Sequence, residues 1–212
     1  MKKELERRAY TFEIRAENDD DEKIITGKPI VYNSRTDMGY FDEIIDMGAL
    51  NATDLTDVRF LVNHDTSMIP LARSRRNNGN STMKLSVDMQ GMNIDFIKLD
   101  TENNVTARAL YSAVERGDIS GMSFMFSVDD EEWENLESEH PTRRIKKIGS
   151  VVEISAVTFP AYEATEIYAR NKEALENARS ALDSARQRNA KQSVDTDNTL
   201  ALLKAKTQIL SN

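Results

Sequence analysis

Seven short runs rich in β-branched and aromatic residues constrain this chain more than any other feature. They are "YTFEIRA", "KIITGKPIVYN", "VRFLVNH", "MKLSVDM", "MNIDFIKL", "ISGMSFMFSV" and "IGSVVEISAVTF", and they are spread along the sequence up to Phe159. Turn-prone stretches such as "NDDD", "RNNGNS" and "MQG" separate several of them, so each run is short enough to be one strand of a barrel or sandwich. One helix interrupts the series. In "NNVTARALYSAVERGD", Leu110, Ala113 and Val114 share a face, Asn103 or Asn104 can cap the start and Gly117 can end it.

Beyond "FPAYEATEIYAR" glycine disappears, and Leu175, Ala178, Leu182 and Ala185 form a narrow apolar stripe at helical spacing. A stripe made mostly of alanine buries little area. The expectation is a β domain over residues 1–165 and a helical arm over 166–212 that is mobile or docks a partner. Within that arm "SVDTDNT" reads as a hinge before a last short helix, "LALLKAKTQIL".

Charge narrows the range of partners. The net charge is −8 over 212 residues. Eight Lys or Arg against six Asp or Glu follow residue 165, so the body before it carries the whole acidic excess. An acidic body without clustered Lys/Arg does not suit a phosphate backbone, and no nucleic-acid partner is expected. No apolar run approaches the roughly 18 residues of a membrane span, and the opening residues lack the apolar stretch of a secretion signal. No membrane partner is expected either. The absence of cysteine removes disulfides, thiolate metal sites and a cysteine nucleophile. With two distant histidines no zinc site and no cofactor is expected, while "ENDDDE" reads as a hairpin turn and leaves a calcium or magnesium site open.

Three residues carry the candidate chemistry. His64 ends "VRFLVNH", where strand alternation puts it on one face with Phe60 and Val62. A rim histidine is either a satisfied polar group or a general base. His140, in the polar "ESEHPTRR", reads as a solvated loop residue. Ser123 lies in "GMSFMF" on the face opposite Met122, Phe124 and Phe126, and Gly121 leaves bare backbone beside it, room for an extended substrate. Ser120 ranks second. Glu153 interrupts the apolar strand "SVVEISAV" and shares its face with Val151, Ser155 and Val157; a carboxylate there needs a partner. Arg73, Arg143 and Arg144 are candidates, as is the second ring nitrogen of His64. The residues alone do not show that the three converge.

Taken in order, "RAYTFEIRA", "ITGKPIVYNSRTD", "FDEIIDMGAL", "FLVNHD", "IPLARS", "ERGDISGMSFMFSV" and "VVEISAVTFPAYEAT" resemble the prohead, or capsid maturation, serine proteases of tailed bacteriophages, a family related to herpesvirus assemblin. The resemblance runs from about Arg7 to Ala164. It implies an assemblin-like, mainly antiparallel β-barrel with flanking helices and a helical carboxyl-terminal arm. It also implies His64 as general base, Ser123 as nucleophile and Glu153 as third member of the site. The activity implied is endoproteolysis of scaffold, or of the amino-terminal scaffolding segment of the major capsid protein, and of the protease itself, inside the immature capsid in the host cytoplasm. Met125 stands where the family usually has glycine, and Ala72 where "PLG" is usual. Both departures add side chains near the expected substrate groove. Oligomeric state and oxyanion donors stay open, and the alternative is a non-catalytic assembly protein that binds scaffold or capsid.

Overall fold

The computed structural model describes residues 5–10, 14–19, 22–158, 176, 178–191 and 199. Eleven strands and two helices are seen in these residues. The strands are β1 (Glu6–Tyr10), β2 (Ile14–Asp19), β3 (Glu22–Val31), β4 (Arg35–Asp37), β5 (Asp42–Ile45), β6 (Arg59–Val62), β7 (Ala72–Arg73), β8 (Met83–Val87), β9 (Gly91–Lys98), β10 (Gly121–Glu134) and β11 (Thr142–Val157). Helix α1 spans Val105–Glu115, and α2 spans 178–191. The expected mainly-β class with flanking helices holds. Among the described residues the strands of the expected barrel do not close on themselves but form two sheets, one of seven strands and one of four.

The smaller sheet runs β2-β3-β9-β8 and is antiparallel throughout. In the larger one the order is β1-β10-β11-β5-β4, with β6 also on β11 and β7 on β6. Strand β11 is 16 residues long, long enough to hold two parallel neighbours in succession: β5 along Thr142–Ile145 and β6 along Glu153–Ala156. These two parallel pairings are the exceptions among strand pairs that are mainly antiparallel, as expected. They also decide which loop meets which end of β11.

Alternation along β10 explains where the core sits. Met122, Phe124 and Phe126 are fully buried and join Phe60, Ile154, Ile25, Met92 and Ile97 in one cluster. Each such side chain contributes about 1.5–3 kcal/mol by leaving water. Helix α1 adds Ala107, Leu110, Tyr111 and Val114 to that cluster. Its start is fixed by Asn104, whose side-chain oxygen accepts from the amides of Thr106 and Ala107 at 2.9 and 3.1 Å. Gly117 then leaves the helix at φ 78°, a left-handed conformation that costs glycine nothing.

The alanine stripe of the arm lies against the body. Ala178 and Leu182 are buried in a second cluster with Met38 and Phe41, and Trp133 and Leu136 pack against it. Arg186 donates to the carbonyls of Leu136 and Ser138, Asn189 pairs with Glu137 and Arg188 with Glu131. Leu175, most of the hinge sequence "SVDTDNT" and the short helix read in "LALLKAKTQIL" fall outside the described residues, as does "FPAYEAT". No helix among the described residues is long and apolar enough to cross a membrane.

Candidate active site

Strand β11 supplies the acid. Glu153 pairs with Arg59 of β6, and Ser155, two residues on, pairs with Leu61. The two side chains leave the same face of β11, and the Ser155 hydroxyl donates to Glu153 Oε2 at 2.7 Å. Both residues are buried, so the second carboxylate oxygen also needs a partner.

That partner is His64. Strand β6 ends at Val62, and Asn63 and His64 both adopt left-handed backbone, at φ 51° and 59°. Asparagine and histidine tolerate this region better than most residues, and the turn is secured on three sides. The Asn63 amide donates to the carbonyl of Ala156 at 2.9 Å, and its side chain accepts from the Thr158 amide at 3.0 Å. The His64 amide donates to Ser155 Oγ at 3.1 Å. His64 therefore does not continue the face of Phe60 and Val62, as strand alternation predicts; the turn folds its ring back over β11. There Nδ1 meets Glu153 Oε1. The ring stays 15% exposed, and Nε2 has no hydrogen-bond partner among the described residues.

The arginines considered as partners of Glu153 are engaged elsewhere. Arg73 pairs with Asp57 through two contacts of 2.6 Å, and Arg144 with Glu134 and Asp46. Arg143 belongs to a buried cluster that also contains Arg8, Glu6, Glu43 and Glu131. It contacts Glu6 at 2.6 and 2.8 Å, Glu43 at 3.0 Å and Glu131 at 2.7 Å. Arg8 meets Glu43 through two contacts of 2.5 and 2.7 Å. Burial alone would raise the Glu6 carboxyl, but the charges and hydrogen bonds of Arg8 and Arg143 outweigh it and hold the group at about 2.

Ser123 sits on the neighbouring strand. It pairs with Ser155 across the antiparallel β10–β11 ladder, which places the two Cβ atoms about 5 Å apart on one face. Its own hydroxyl is fully buried and donates to the carbonyl of Arg8 at 2.6 Å. No hydrogen bond joins it to His64 among the described residues. The structure thus brings His64, Glu153 and Ser155 into direct contact and sets Ser123 one strand away. The open edge expected beside Gly121 and Ser123 is filled by β1, which pairs with β10 from Met122 to Phe126. Ser120 is exposed and precedes the strand.

Ser155 is the site residue that sequence reasoning does not single out. Its signal is the i, i+2 spacing from Glu153, which puts a hydroxyl beside a carboxylate that must be satisfied. His140 remains in a loop, 3.3 Å from Asp42. With Asp37 these two bring three potential donor atoms within 4.8 Å of one another, in an exposed group where Arg35 already answers Asp42 at 2.6 Å.

A buried acid thus meets a histidine at the end of a strand, with Ser155 beside it on β11 and Ser123 on the adjoining β10. The comparison with known families supplies the class. The family model described as Caudovirus prohead serine protease matches residues 10–180, well over half of the chain, and the chain belongs to that family. Its class is therefore that of serine proteases of prohead maturation in tailed phages, working within the prohead in the host cell. No curated protein and no solved structure matches the chain.

Proposed function

We propose that the chain is a serine endopeptidase with Ser123 as nucleophile, His64 as general base and Glu153 as the group that orients and stabilises the imidazole. The observation that carries this reading is the pairing of His64 Nδ1 with Glu153 Oε1. A carboxylate accepting from Nδ1 leaves the lone pair on Nε2, the nitrogen that lacks a partner among the described residues, and that is the tautomer a base requires. Ser155 supports the arrangement from below by holding the second carboxylate oxygen and the His64 amide at once.

In the reaction, Nε2 takes the Ser123 proton as the serine oxygen bonds to the scissile carbonyl carbon. The imidazolium, stabilised by Glu153, then gives that proton to the departing amine as the C–N bond breaks. Water repeats the sequence on the acyl-enzyme and regenerates the serine. The substrates are the scaffold, or the amino-terminal scaffolding segment of the major capsid protein, and the chain itself. The family supports this choice.

Co-expression with the capsid protein tests the proposal. Processing of capsid protein should disappear on a gel in Ser123→Ala and in His64→Ala, with both variants folded by circular dichroism. Processing that survives Ser123→Ala removes this serine as nucleophile. Capsid binding without any cleavage by the unaltered chain would instead favour an assembly protein.

A further inference from the structure

The same serine has a second feature, whose meaning rests on Ser123 being the protease nucleophile. A nucleophilic hydroxyl must reach both its base and a substrate carbonyl carbon at about 3 Å. In this structure Ser123 is fully buried, and its proton is committed to the Arg8 carbonyl at 2.6 Å. Strand β1 lies along β10 from Met122 to Phe126, so it occupies the edge an extended peptide would need.

Two observations separate β1 from its neighbours. Among the described residues it is the terminal strand of its sheet, joined to it through β10 alone, whereas β11 holds the other side of β10 along nearly its whole length. In addition, the described side chains of β1, those of Glu6, Arg7 and Arg8, are all charged, and two of them tie the strand to the sheet by ion pairs: Arg8 on Glu43, and Glu6 on Arg143. Removing one partner of such a buried pair leaves the other uncompensated, so these contacts form or break together as the strand docks or leaves.

We propose that β1 is a displaceable cover over Ser123. It closes the site in the resting chain and leaves the β10 edge to admit an extended peptide. That peptide then takes β1's place as the antiparallel neighbour of Met122–Phe126, by strand addition. The strand is thus both the inhibitor in the resting form and a guide to how the substrate lies.

The chain has no cysteine of its own, so a single engineered bridge gives a clean test. Arg7 and Met125 are cross-strand partners, at a spacing that a disulfide can span. In the full-length double variant Arg7→Cys, Met125→Cys, a fluorophosphonate probe should label Ser123, located by peptide mass spectrometry, when the bridge is reduced. Labelling and capsid cleavage should both fall at least about tenfold when it is oxidised, and recover on reduction. Arg8→Ala should raise the labelling rate above that of the unaltered chain by a similar factor; should that variant fail to fold, the bridge carries the test alone. Equal labelling of Ser123 in the oxidised and reduced states overturns the cover and leaves the protease reading standing. Absence of Ser123 labelling and of cleavage in every folded form, the reduced and released ones included, overturns the protease reading and the cover with it.

Discussion

Ser123 and Ser155 face each other as paired residues of β10 and β11, yet their hydroxyls turn in different directions: Ser155 toward Glu153 at 2.7 Å, Ser123 toward the carbonyl of Arg8 at 2.6 Å. One serine supports the His64–Glu153 pair and the other is held apart from it. The division yields separate expectations for the two residues.

Replacing Glu153 with Gln keeps the shape of the side chain and removes its charge. The amide can no longer stabilise an imidazolium, and it can present a donor where Nδ1–H needs an acceptor. Cleavage of the capsid substrate should fall by roughly three to four orders of magnitude, with the melting temperature little changed. A fall of less than about tenfold would show that Glu153 does not serve His64.

Ser155→Ala removes one hydrogen bond to a carboxylate and the acceptor of the His64 amide. The expected loss is about tenfold in kcat with little change in KM, since the residue positions the base and does not meet substrate. Ser155→Thr, which retains the hydroxyl, should recover most of the activity. Equal losses in Ala and Thr would argue against a positioning role.

Acid should loosen the buried charge cluster before it unfolds the sheets. Glu6 is held at about 2 against an ordinary value of 4.5, so the folded chain keeps it ionised where an unfolded chain would protonate it. Its contribution to stability is therefore present above pH about 4.5 and is lost as pH falls toward 2. Amide hydrogen exchange of β1, followed between pH 5 and 2, should accelerate relative to that of β9. Glu6→Gln should flatten that difference.

Helix α2 rests on Met38 and Phe41 through Leu182 and Ala178. Truncating Leu182 to Ala leaves a cavity in that contact and should expose the chain at Arg186 and Arg188 to trypsin. A buried Leu→Ala change weakens packing by about 2–5 kcal/mol, enough to raise the cutting rate by more than tenfold while the β sheets remain intact.

Gly91 sits at φ 148°, and a Cβ there would lie 1.9 Å from the Ile30 carbonyl oxygen. Relief requires β3 and β9 to separate. Gly91→Ala should cost about 3 kcal/mol, at the upper end for single substitutions, and lower the melting temperature by roughly 6–12 °C.

Much of this fold was legible because its core strands are locally consistent. Strands β3, β8 and β9, the first half of β10, the second half of β11, and α1 with its Asn104 cap all follow from alternation or capping. Strands β4, β5 and β7, of two to four residues, carry too little pattern to be seen. The outer halves of β10 and β11 read as polar loop because their residues are charged. They are strand because opposite charges pair across the hairpin, Arg143 with Glu131 and Arg144 with Glu134. At the site, residue types pointed to His64, Ser123 and Glu153. The left-handed turn that brings His64 onto β11 is a tertiary outcome, and so is the strand that covers Ser123: no spacing encodes which edge of β10 is occupied.

The contacts that build this site join residues far apart in the chain. His64 and Glu153 are separated by 89 positions, and Ser123 and Arg8 by 115. Long closures of this kind form slowly, and a nascent chain still lacking β11 has a histidine without its acid. With the roles proposed for His64 and Glu153, synthesis itself delays the onset of cutting: a growing chain on a ribosome is not armed before β11 has emerged and docked.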